Sequence, residues 1–224
     1  MIVTQLVTQQ HPANHADVVD TPELKLVTDD DLAAASWIKP RLMGEFGAVT
    51  REVPQGYAAY ARVCHPADDE SGSPTAWSQV AAVTGRQAHP TMQWHALVGS
   101  PHRYAAAKYL WPGNDPECGN LPPQLLGPLC NLLTHHTTTP DTCYFGLWEG
   151  HGWTPSTAVA NLHHYGRDYI LFTGPLHAAL QLGHRPLPDW FVPQSPNLLW
   201  PADRAWYVAS EIDFDSTLVG GQPT

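Results

Sequence analysis

Proline is the residue that most limits the folds open to this chain, because 22 of its 224 residues are prolines and they occur along its whole length. Proline fixes φ and has no backbone N–H, so it interrupts both helix interiors and central strands. We therefore expect long, rigid, irregular segments between the elements. Hydrophobic residues still make up 43% of the chain, enough for a sizeable core.

The charge of the chain limits the partners that it can have. There are 21 acidic and 11 basic side chains, a formal net charge of −10, and no cluster of Lys and Arg. Binding to a phosphate backbone needs such a cluster, so we expect no nucleic-acid partner. The charge fits a small neutral or cationic ligand, or a protein partner, better than an anionic polymer.

Hydropathy predicts neither a membrane span nor a leader. No apolar run reaches the roughly 18–20 residues that a span requires. Residues 1–10 lack the basic start and the apolar centre of a signal peptide. We therefore expect a cytoplasmic protein without a membrane partner. Its four cysteines are expected to be reduced thiols, since a chain of this size does not need disulfides for stability.

The hydrophobic periodicity predicts helices and strands in irregular alternation. Helices are predicted over residues 32–38, 75–84 (stopped by Gly85) and about 120–133, with a short helical stretch over 176–182. Asn120 is the expected cap of the third helix, and Pro128 should kink it. Strands are predicted over 57–65, 143–149, 168–172 and 205–212, whereas 92–98 fits either a strand or a helix.

This order of elements indicates an α+β fold, because it lacks the strict strand–helix alternation of parallel sheets. We expect a mostly antiparallel sheet with helices packed on one face and long proline-rich loops. Residues 1–28 show no sustained periodicity and are interpreted as an N-terminal arm or extension. Residues 29–224 are then expected to form a single globular α+β domain.

Several sequence blocks after Trp37 stand out. They are GYAAYARV (56–63) with His65-Pro66, TPDTC (139–143), GLWEG (146–150), RDYILFTGPL (167–176), and QSPNLLWPADRAW (194–206) with Glu211-Ile212-Asp213 and Gly220-Gly221. Together they resemble a family of uncharacterised bacterial proteins, mostly actinobacterial, over most of the chain. The resemblance implies no activity. It does imply a longer segment between Trp153 and Arg167 and a further helix after Gly221, so we expect the chain to be truncated there.

No catalytic, metal-binding or phosphate-binding motif is recognisable. The chain has 13 histidines, but the pairs His135-His136 and His163-His164 are adjacent, and adjacent side chains point in different directions. A metal would need ligands from separate segments, and no zinc-ligand spacing is present. Cys143 opens an apolar strand, where a buried inert thiol is expected. We therefore predict no catalytic residue, no metal and no cofactor.

Two groups of side chains remain as candidate binding residues. One is acidic: Glu149 at a strand end, and Glu211, Asp213 and Asp215, which alternate and so could share one face. They could bind a cation or act as an acid–base group, or they could simply be a solvated strand end. The other group combines tryptophan and arginine: Trp148, Trp153, Trp190, Trp200, Trp206, Arg167, Arg185 and Arg204.

Tryptophan and arginine anchor interfaces and stack on planar ligands. Arg204 and Trp206 would share a face if a strand began at Arg204. The alternative interpretation is that these tryptophans fill the core of a loop-rich fold, with the arginines binding loop carbonyls. The predicted binding residues are Trp148, Glu149, Arg167, Trp200, Arg204, Trp206, Glu211 and Asp213.

Our first functional hypothesis is a non-enzymatic binding or interaction protein that uses an aromatic and acidic surface from its second half. A role accessory to immunity or defence is one version of it, by analogy only. The alternative is an unrecognised hydrolase that uses Glu149 with Glu211 or Asp213, with or without a divalent metal. A purely structural subunit is a third hypothesis.

Overall fold

One eight-stranded antiparallel sheet organises the chain in the computed structural model, which describes residues 23–45, 47–102, 110–153, 161–164 and 166–222. Its strands are β1 (Lys25–Leu26), β2 (Ala59–Cys64), β5 (Cys143–Trp148), β6 (Asn161–His164), β7 (Arg167–Gly174), β10 (Leu198–Pro201), β11 (Trp206–Ala209) and β12 (Ser216–Gly221). The order across the sheet is β1-β7-β5-β10-β11-β12-β2. β6 and β1 pair with successive parts of β7, on the side away from β5.

The remaining elements are short. Two hairpins lie outside the main sheet, β3 (Ala67–Asp68) with β4 (Pro74–Thr75) and β8 (Gly183–Leu187) with β9 (Trp190–Pro193). The α-helices are α1 (Val49–Glu52), α2 (Trp77–Thr84), α3 (Trp94–Leu97) and α4 (Pro123–Thr134). Short 3₁₀ helices cover Asp29–Ala35, Lys39–Arg41, Glu149–His151 and Leu176–Gln181.

The central strands bury both faces of the sheet. In β11, Trp206 and Val208 belong to a core shared with α4, whereas Tyr207 and Ala209 face a second core. Successive side chains of a strand point to opposite faces, so a strand between two cores must be apolar at every position, as β11 is. The second core is closed by the segment that precedes β2, through Ile38, Leu42, Val53 and other apolar side chains.

The predicted α+β class and the mostly antiparallel sheet are confirmed. The longest helix, α4, packs on one face of the sheet, through Leu126, Cys130 and Leu133. The opposite face is covered by 3₁₀ turns and α1, a layer too short and irregular to give a clear helical period. A third apolar cluster, which includes Trp77, lies around α2 and α3, beside the sheet.

Local predictions near α4 need two corrections. Asn120 does not cap the helix, because the N-cap position is Pro122 and no side chain bonds there. The Asn120 amide oxygen instead accepts a hydrogen bond from the backbone N–H of Ser195, at 2.9 Å. Leu132 is 58% exposed although the apolar pattern included it, because the face that the sheet buries passes through Cys130 and Leu133.

Other element predictions differ mainly at their ends. The helix predicted over 75–84 is α2, and Gly85 ends it in the left-handed conformation, with φ of 66°. The ambiguous segment 92–98 contains α3, and the helix predicted over 32–38 is a 3₁₀ turn that begins earlier. The strand predicted over 205–212 stops at Ala209, since a turn follows it.

Residues 1–22 of the predicted arm lie outside the described residues, while Lys25 and Leu26 pair with β7 as β1. The four cysteines are thiols that form no disulfide with one another. Burial raises the pKa of both Cys130 and Cys143 to about 12, so these two thiols are held in the uncharged form. In the part of the chain that the structure describes, no helix combines the length and the apolar character needed to cross a membrane.

Candidate functional site

Two of the predicted binding tryptophans are core residues. Trp200 and Trp206 are each only 1% exposed, and they lie on opposite faces of the sheet. Trp200 stacks between Tyr144 and Tyr207, at ring-centre distances of 5.5 and 5.8 Å. The indole N–H of Trp206 donates to the carbonyl oxygen of Leu133 at 3.0 Å. Neither ring is available to a partner. This agrees with the alternative interpretation, in which these tryptophans fill the core.

Arg204 and Trp206 would share a face only if a strand began at Arg204, and the structure shows that it does not. β11 begins only at Trp206, and Arg204 precedes it in a turn with φ of 59°. The strand alternation therefore does not extend to Arg204. Its guanidinium lies over the ring of Trp37, 5.3 Å from the ring centre, and Trp37 belongs to the core opposite Trp206.

Four of the predicted binding residues come together where β5 and β7 meet the turn after β11. Arg167 Nε lies 2.7 Å from Glu211 Oε1, and Arg167 Nη2 lies 2.6 Å from Asp213 Oδ2. The guanidinium also lies over the Trp148 ring, 5.7 Å from its centre. Two carboxylates and one aromatic ring thus fix Arg167 in a single orientation.

The aromatic rings after Trp148 form a ladder that leads away from Arg167. Trp148 contacts His151 edge-on at 5.3 Å, His151 stacks on Trp153 at 5.5 Å, and Trp153 stacks on His184 at 4.9 Å. Glu149, the eighth predicted binding residue, lies in the 3₁₀ turn between the first two rings. These rings already occupy one another's faces, so they form a wall rather than an open stacking site.

A small cavity opens beside Arg167. Its volume is about 130 Å³, and its lining residues are Arg51, Glu52, His164, Gly166, Arg167, Tyr169 and Glu211. A second cavity of about 390 Å³ shares His164 and Gly166 with it and adds Lys39, Leu42 and His163. We call the two adjoining cavities the α1–β7 cleft. It is bounded by the 39–41 turn, α1, the ends of β6 and β7, and the turn after β11.

Glu52 is a buried carboxyl of the cleft that makes no hydrogen bond within the described residues. It is 5% exposed, and its one charged contact among the described residues is with Arg51 Nε, at 3.7 Å. That distance is too long for a hydrogen bond. Burial, and then the nearby Glu211 carboxylate, raise the pKa of Glu52 to about 7. Near neutral pH this carboxyl is therefore poised between its charged and uncharged forms.

Glu211 is the opposite case. It is also buried, at 6% exposed, but both of its oxygens have partners. Oε1 pairs with Arg167, and Oε2 accepts the backbone N–H of Asp213 at 2.6 Å. The cleft thus holds one carboxylate that is fixed by bonds and one carboxyl, on Glu52, that faces the cavity. That difference leaves the Glu52 carboxyl able to bond with an incoming ligand.

Two phenols and one histidine complete the buried surroundings of Glu52. His164 is 6% exposed, and burial, followed by the Arg51 and His163 charges, lowers its pKa to about 4, so it is neutral at pH 7. Burial raises the pKa of both Tyr169 and Tyr207. The Tyr207 hydroxyl is fully buried and has no hydrogen-bond partner among the described residues.

A larger cavity, of about 530 Å³, lies at β2 and β12 but offers less chemistry. Arg62 is the cation in its lining, and it already donates to Ser216 Oγ at 2.9 Å, to Asp215 Oδ1 at 3.1 Å and to the Met92 carbonyl oxygen. Its guanidinium also lies over Trp77. Because these groups already bind one another, the cavity is a weaker candidate than the cleft.

Sequence reasoning found Arg167 and Glu211 but missed the rest of the cleft. Arg51 and Glu52 occupy a four-residue helix with no motif, and His164 and Tyr169 belong to adjacent strands, β6 and β7. Only the packing of α1 across the sheet brings them together. The one signal available was the charged pair Arg51-Glu52 directly before the apolar Val53-Pro54, and such pairs are usually solvated.

The cleft residues do not form a recognisable metal centre. Among the described residues, no group of three or more His, Cys, Asp and Glu side chains is arranged to hold a metal ion. Glu149 and Asp213, which the hydrolase hypothesis would use, do not line either cavity of the cleft among the described lining residues.

Comparison with known proteins assigns the chain to no family. A scan against protein-family models, a search of curated proteins and a search of solved structures each find no match to the chain. The resemblance stated on the sequence blocks therefore stays a prediction, and the α1–β7 cleft has to be interpreted from its own chemistry.

Proposed function

We propose that this protein is a non-enzymatic binding protein that holds a small polar ligand in the α1–β7 cleft. The observation that carries the proposal is Glu52, a carboxyl that is 5% exposed, lines the cavity and makes no hydrogen bond within the described residues. Burying a polar group without a partner costs about 1–3 kcal/mol. A ligand that bonds to Glu52 would recover that cost on binding.

The surroundings of Glu52 are rigid enough to discriminate between ligands. Arg167 is fixed by Glu211, Asp213 and the Trp148 ring, so the wall opposite α1 does not have to be ordered when a ligand enters. Preorganised polar groups bind more tightly because less conformational entropy is lost. The acidic and aromatic residues predicted from the second half thus contribute a supporting wall, and α1 contributes the ligand contact.

The hydrolase alternative has less support. A pair of catalytic carboxylates needs one oxygen free to transfer a proton or attack. Glu211 uses both oxygens within the protein, on Arg167 and on the Asp213 N–H. Of the two carboxyl groups among the described lining residues, Glu52 alone remains, so the carboxylate pair that the hydrolase hypothesis requires is not available in the cleft.

A ligand screen tests the proposal. We would screen a library of small polar compounds by thermal shift and by backbone-amide NMR, and then titrate each hit into Glu52→Leu, which removes the bonding oxygens and leaves an apolar side chain. We expect hits that shift the amides of Gly166 and Arg167 and bind at least about tenfold more weakly to the variant.

The matched control is Glu70→Leu, which changes an exposed glutamate in the β3–β4 turn. It should leave the affinity of every hit unchanged. A library without any cleft-binding compound, or hits that bind equally well to Glu52→Leu, would rule out the cleft as the binding site.

A further inference from the structure

Strand β2 is the last strand of the main sheet, and one of its two edges is paired. It lies at the end of the strand order, next to β12. Its register with β12 runs from Cys64 opposite Ser216 to Ala59 opposite Gly221. The edge of β2 that faces away from β12 pairs with no strand in the part of the chain that the structure describes.

The hydrogen-bond pattern shows which backbone groups lie on this free edge. His65, one residue beyond β2, donates its N–H to the carbonyl oxygen of Asp215 at 3.0 Å, which continues the register by one position. In an antiparallel pair, residues that bond to the partner strand alternate with residues whose N–H and C=O point the other way. The backbone groups of Tyr60, Arg62 and Cys64 therefore point away from β12. None of them bonds to another described segment.

The free edge lacks common protections against an added strand. Sheets protect an edge with prolines, lysines or a covering segment. β2 has the sequence AYARVC, without proline or lysine, and residues 59–61 are exposed. Its one charged side chain, Arg62, already donates to Ser216, to Asp215 and to the Met92 carbonyl oxygen. The backbone of β2 is therefore the part that can still form bonds.

The cavity of about 530 Å³ lies beside this edge, over one face of β2 and β12. Arg62 and Leu218 are opposite each other in the register and both line it. Tyr60 and Val49 also line it, and these two apolar side chains are 41% and 40% exposed. A strand added at the edge would point every second side chain to the face of Tyr60 and Arg62. Apolar side chains at those positions would have this cavity to fill.

The charge beside the edge favours a basic partner. Within the cavity, Arg62 pairs with Asp215 at 3.1 Å. An adjoining cavity of about 130 Å³ shares Asp215 and adds Asp115 and His95. Asp115 accepts the indole N–H of Trp94 at 2.8 Å and forms no ion pair with a described residue. The whole chain has a net charge of −10, so a second copy would be repelled and a basic segment attracted.

We propose that the free edge of β2 binds an extended segment of a partner protein, which adds to the sheet as a further antiparallel strand and carries Lys or Arg beside apolar side chains. Its backbone bonds to Tyr60, Arg62 and Cys64, its apolar side chains fill the 530 Å³ cavity, and its basic side chains pair with Asp115. Main-chain bonds supply affinity in such complexes, and side-chain pockets supply specificity. This site shares no described lining residue with the α1–β7 cleft, so it does not depend on the ligand proposed there.

Short peptides with blocked ends test the proposal on the full chain. They alternate Val and Thr and carry Lys, Gln or Glu at both ends, and each would be titrated by NMR. We expect the Lys peptide to bind best and the Glu peptide at least about tenfold more weakly. Amide exchange at Tyr60 and Arg62 should slow in the complex, whereas Ala61, which bonds to β12, should change little.

Methylation of the peptide backbone supplies a matched control. The side chains of Tyr60 and Arg62 line the cavity, so the peptide residues opposite them also face the cavity and bond to the edge. With valines in the cavity, N-methylation of the valines should weaken binding at least about tenfold, and N-methylation of the threonines should have little effect. Equal affinities of the two methylated peptides would overturn strand addition.

Variants of the protein test the edge and the charge separately. Tyr60→Pro removes an N–H that points away from β12, a position where an edge strand tolerates proline. It should bind the Lys peptide about three- to tenfold more weakly than Tyr60→Ala, which keeps the N–H. Asp115→Asn should weaken the Lys peptide about two- to fivefold. Its matched control is Asp189→Asn, at an exposed aspartate in the β8–β9 turn, which should have no effect.

Three results would overturn the proposal. They are absence of binding by every peptide, binding that leaves amide exchange at Tyr60 and Arg62 unchanged, and a preference for the Glu peptide. Light scattering of the protein alone adds a fourth: a dimer that Tyr60→Pro converts to a monomer would assign the edge to a second copy of the chain. If Tyr60→Pro does not fold, the methylated peptides still decide the question.

Discussion

Two buried polar clusters lie on the same antiparallel sheet, and they differ in whether their polar groups are hydrogen-bonded. In the first, around His65, Ser210 and Thr217, every side chain bonds to another protein group. The second cluster contains Glu52 of the α1–β7 cleft and the nearby Tyr207, and neither the Glu52 carboxyl nor the Tyr207 hydroxyl makes a hydrogen bond within the described residues.

The first cluster can be followed bond by bond. His65 Nδ1 lies 2.6 Å from the Glu117 carbonyl oxygen, which only accepts, so Nδ1 carries the proton. His65 Nε2 then accepts from the Thr217 hydroxyl at 2.9 Å, and Ser210 donates to Thr217 at 2.6 Å. Burial lowers the pKa of His65, in keeping with a neutral ring. A closed network of this kind specifies the core.

Asn197 extends this network to the strand that carries Trp148. Its amide oxygen accepts a hydrogen bond from the backbone N–H of Trp148 at 2.9 Å, and its amide nitrogen donates to the Ser210 carbonyl oxygen at 2.9 Å. Asn197 is fully buried. The comparison teaches that the same sheet carries one polar cluster in which the side chains bond to one another and a second in which Glu52 and Tyr207 make no hydrogen bond within the described residues.

The largest expected effect comes from breaking the closed network. Asn197→Leu keeps the number of side-chain heavy atoms but leaves the backbone N–H of Trp148 and the Ser210 carbonyl without these partners, so it should lower the free energy of unfolding by about 3–5 kcal/mol. Urea denaturation measures this. Asn131→Leu, on the exposed side of α4, should change stability by no more than about 0.5 kcal/mol. Equal effects of the two variants would contradict the comparison.

The next effect concerns the open cluster and depends on pH. Because the folded pKa of Glu52 is raised to about 7 from 4.5, its contribution to stability is complete below pH 4.5 and is lost as the pH rises through 7. Glu52→Gln removes this loss. The variant should therefore gain about 2–3 kcal/mol over the unmodified protein between pH 5 and pH 8.

Thermal and urea denaturation across that pH range would measure the gain. Glu70→Gln, at an exposed glutamate, should show no such trend. A gain for Glu52→Gln that does not change with pH would mean that the carboxyl is ionised in the folded protein throughout, and the contrast between the clusters would lose its electrostatic basis.

A smaller effect is expected for Thr217→Val, a near-isosteric change inside the closed network. It removes the hydroxyl that bonds both His65 Nε2 and Ser210 Oγ, and it should cost about 1–3 kcal/mol. The measurement is again urea denaturation. A neutral result would show that the network bonds are dispensable.

The smallest effect is expected for Tyr207→Phe, which deletes one hydroxyl in the second cluster. That hydroxyl has no hydrogen-bond partner among the described residues, so its removal should change stability by less than about 0.5 kcal/mol or raise it slightly. Thr217→Val and Tyr207→Phe each delete one buried hydroxyl, so they form a matched pair. A large loss of stability in Tyr207→Phe would show that the hydroxyl has a hydrogen-bond partner and that the second cluster is bonded like the first.

The sequence by itself determined the class of the fold and four of the eight strands of the main sheet, β2, β5, β7 and β11. Strands β5 and β11 and the centre of β7 are continuous apolar runs, which is typical of strands buried on both faces. Gly85 marked the end of α2 because only glycine adopts its left-handed conformation without cost. These signals are local, so neighbouring residues were sufficient to reveal them.

Tertiary structure alone decided which tryptophans are core and which groups meet in the cleft. From the sequence, Trp200 and Trp206 were as good candidates for a binding surface as Trp148. In the structure the two faces of the sheet bury Trp200 and Trp206, whereas Trp148 lies beside Arg167. Glu52 lies more than 100 residues from Arg167 in the chain. Their proximity depends on which strands pair and where α1 packs, and these long-range contacts leave no periodic trace in the sequence.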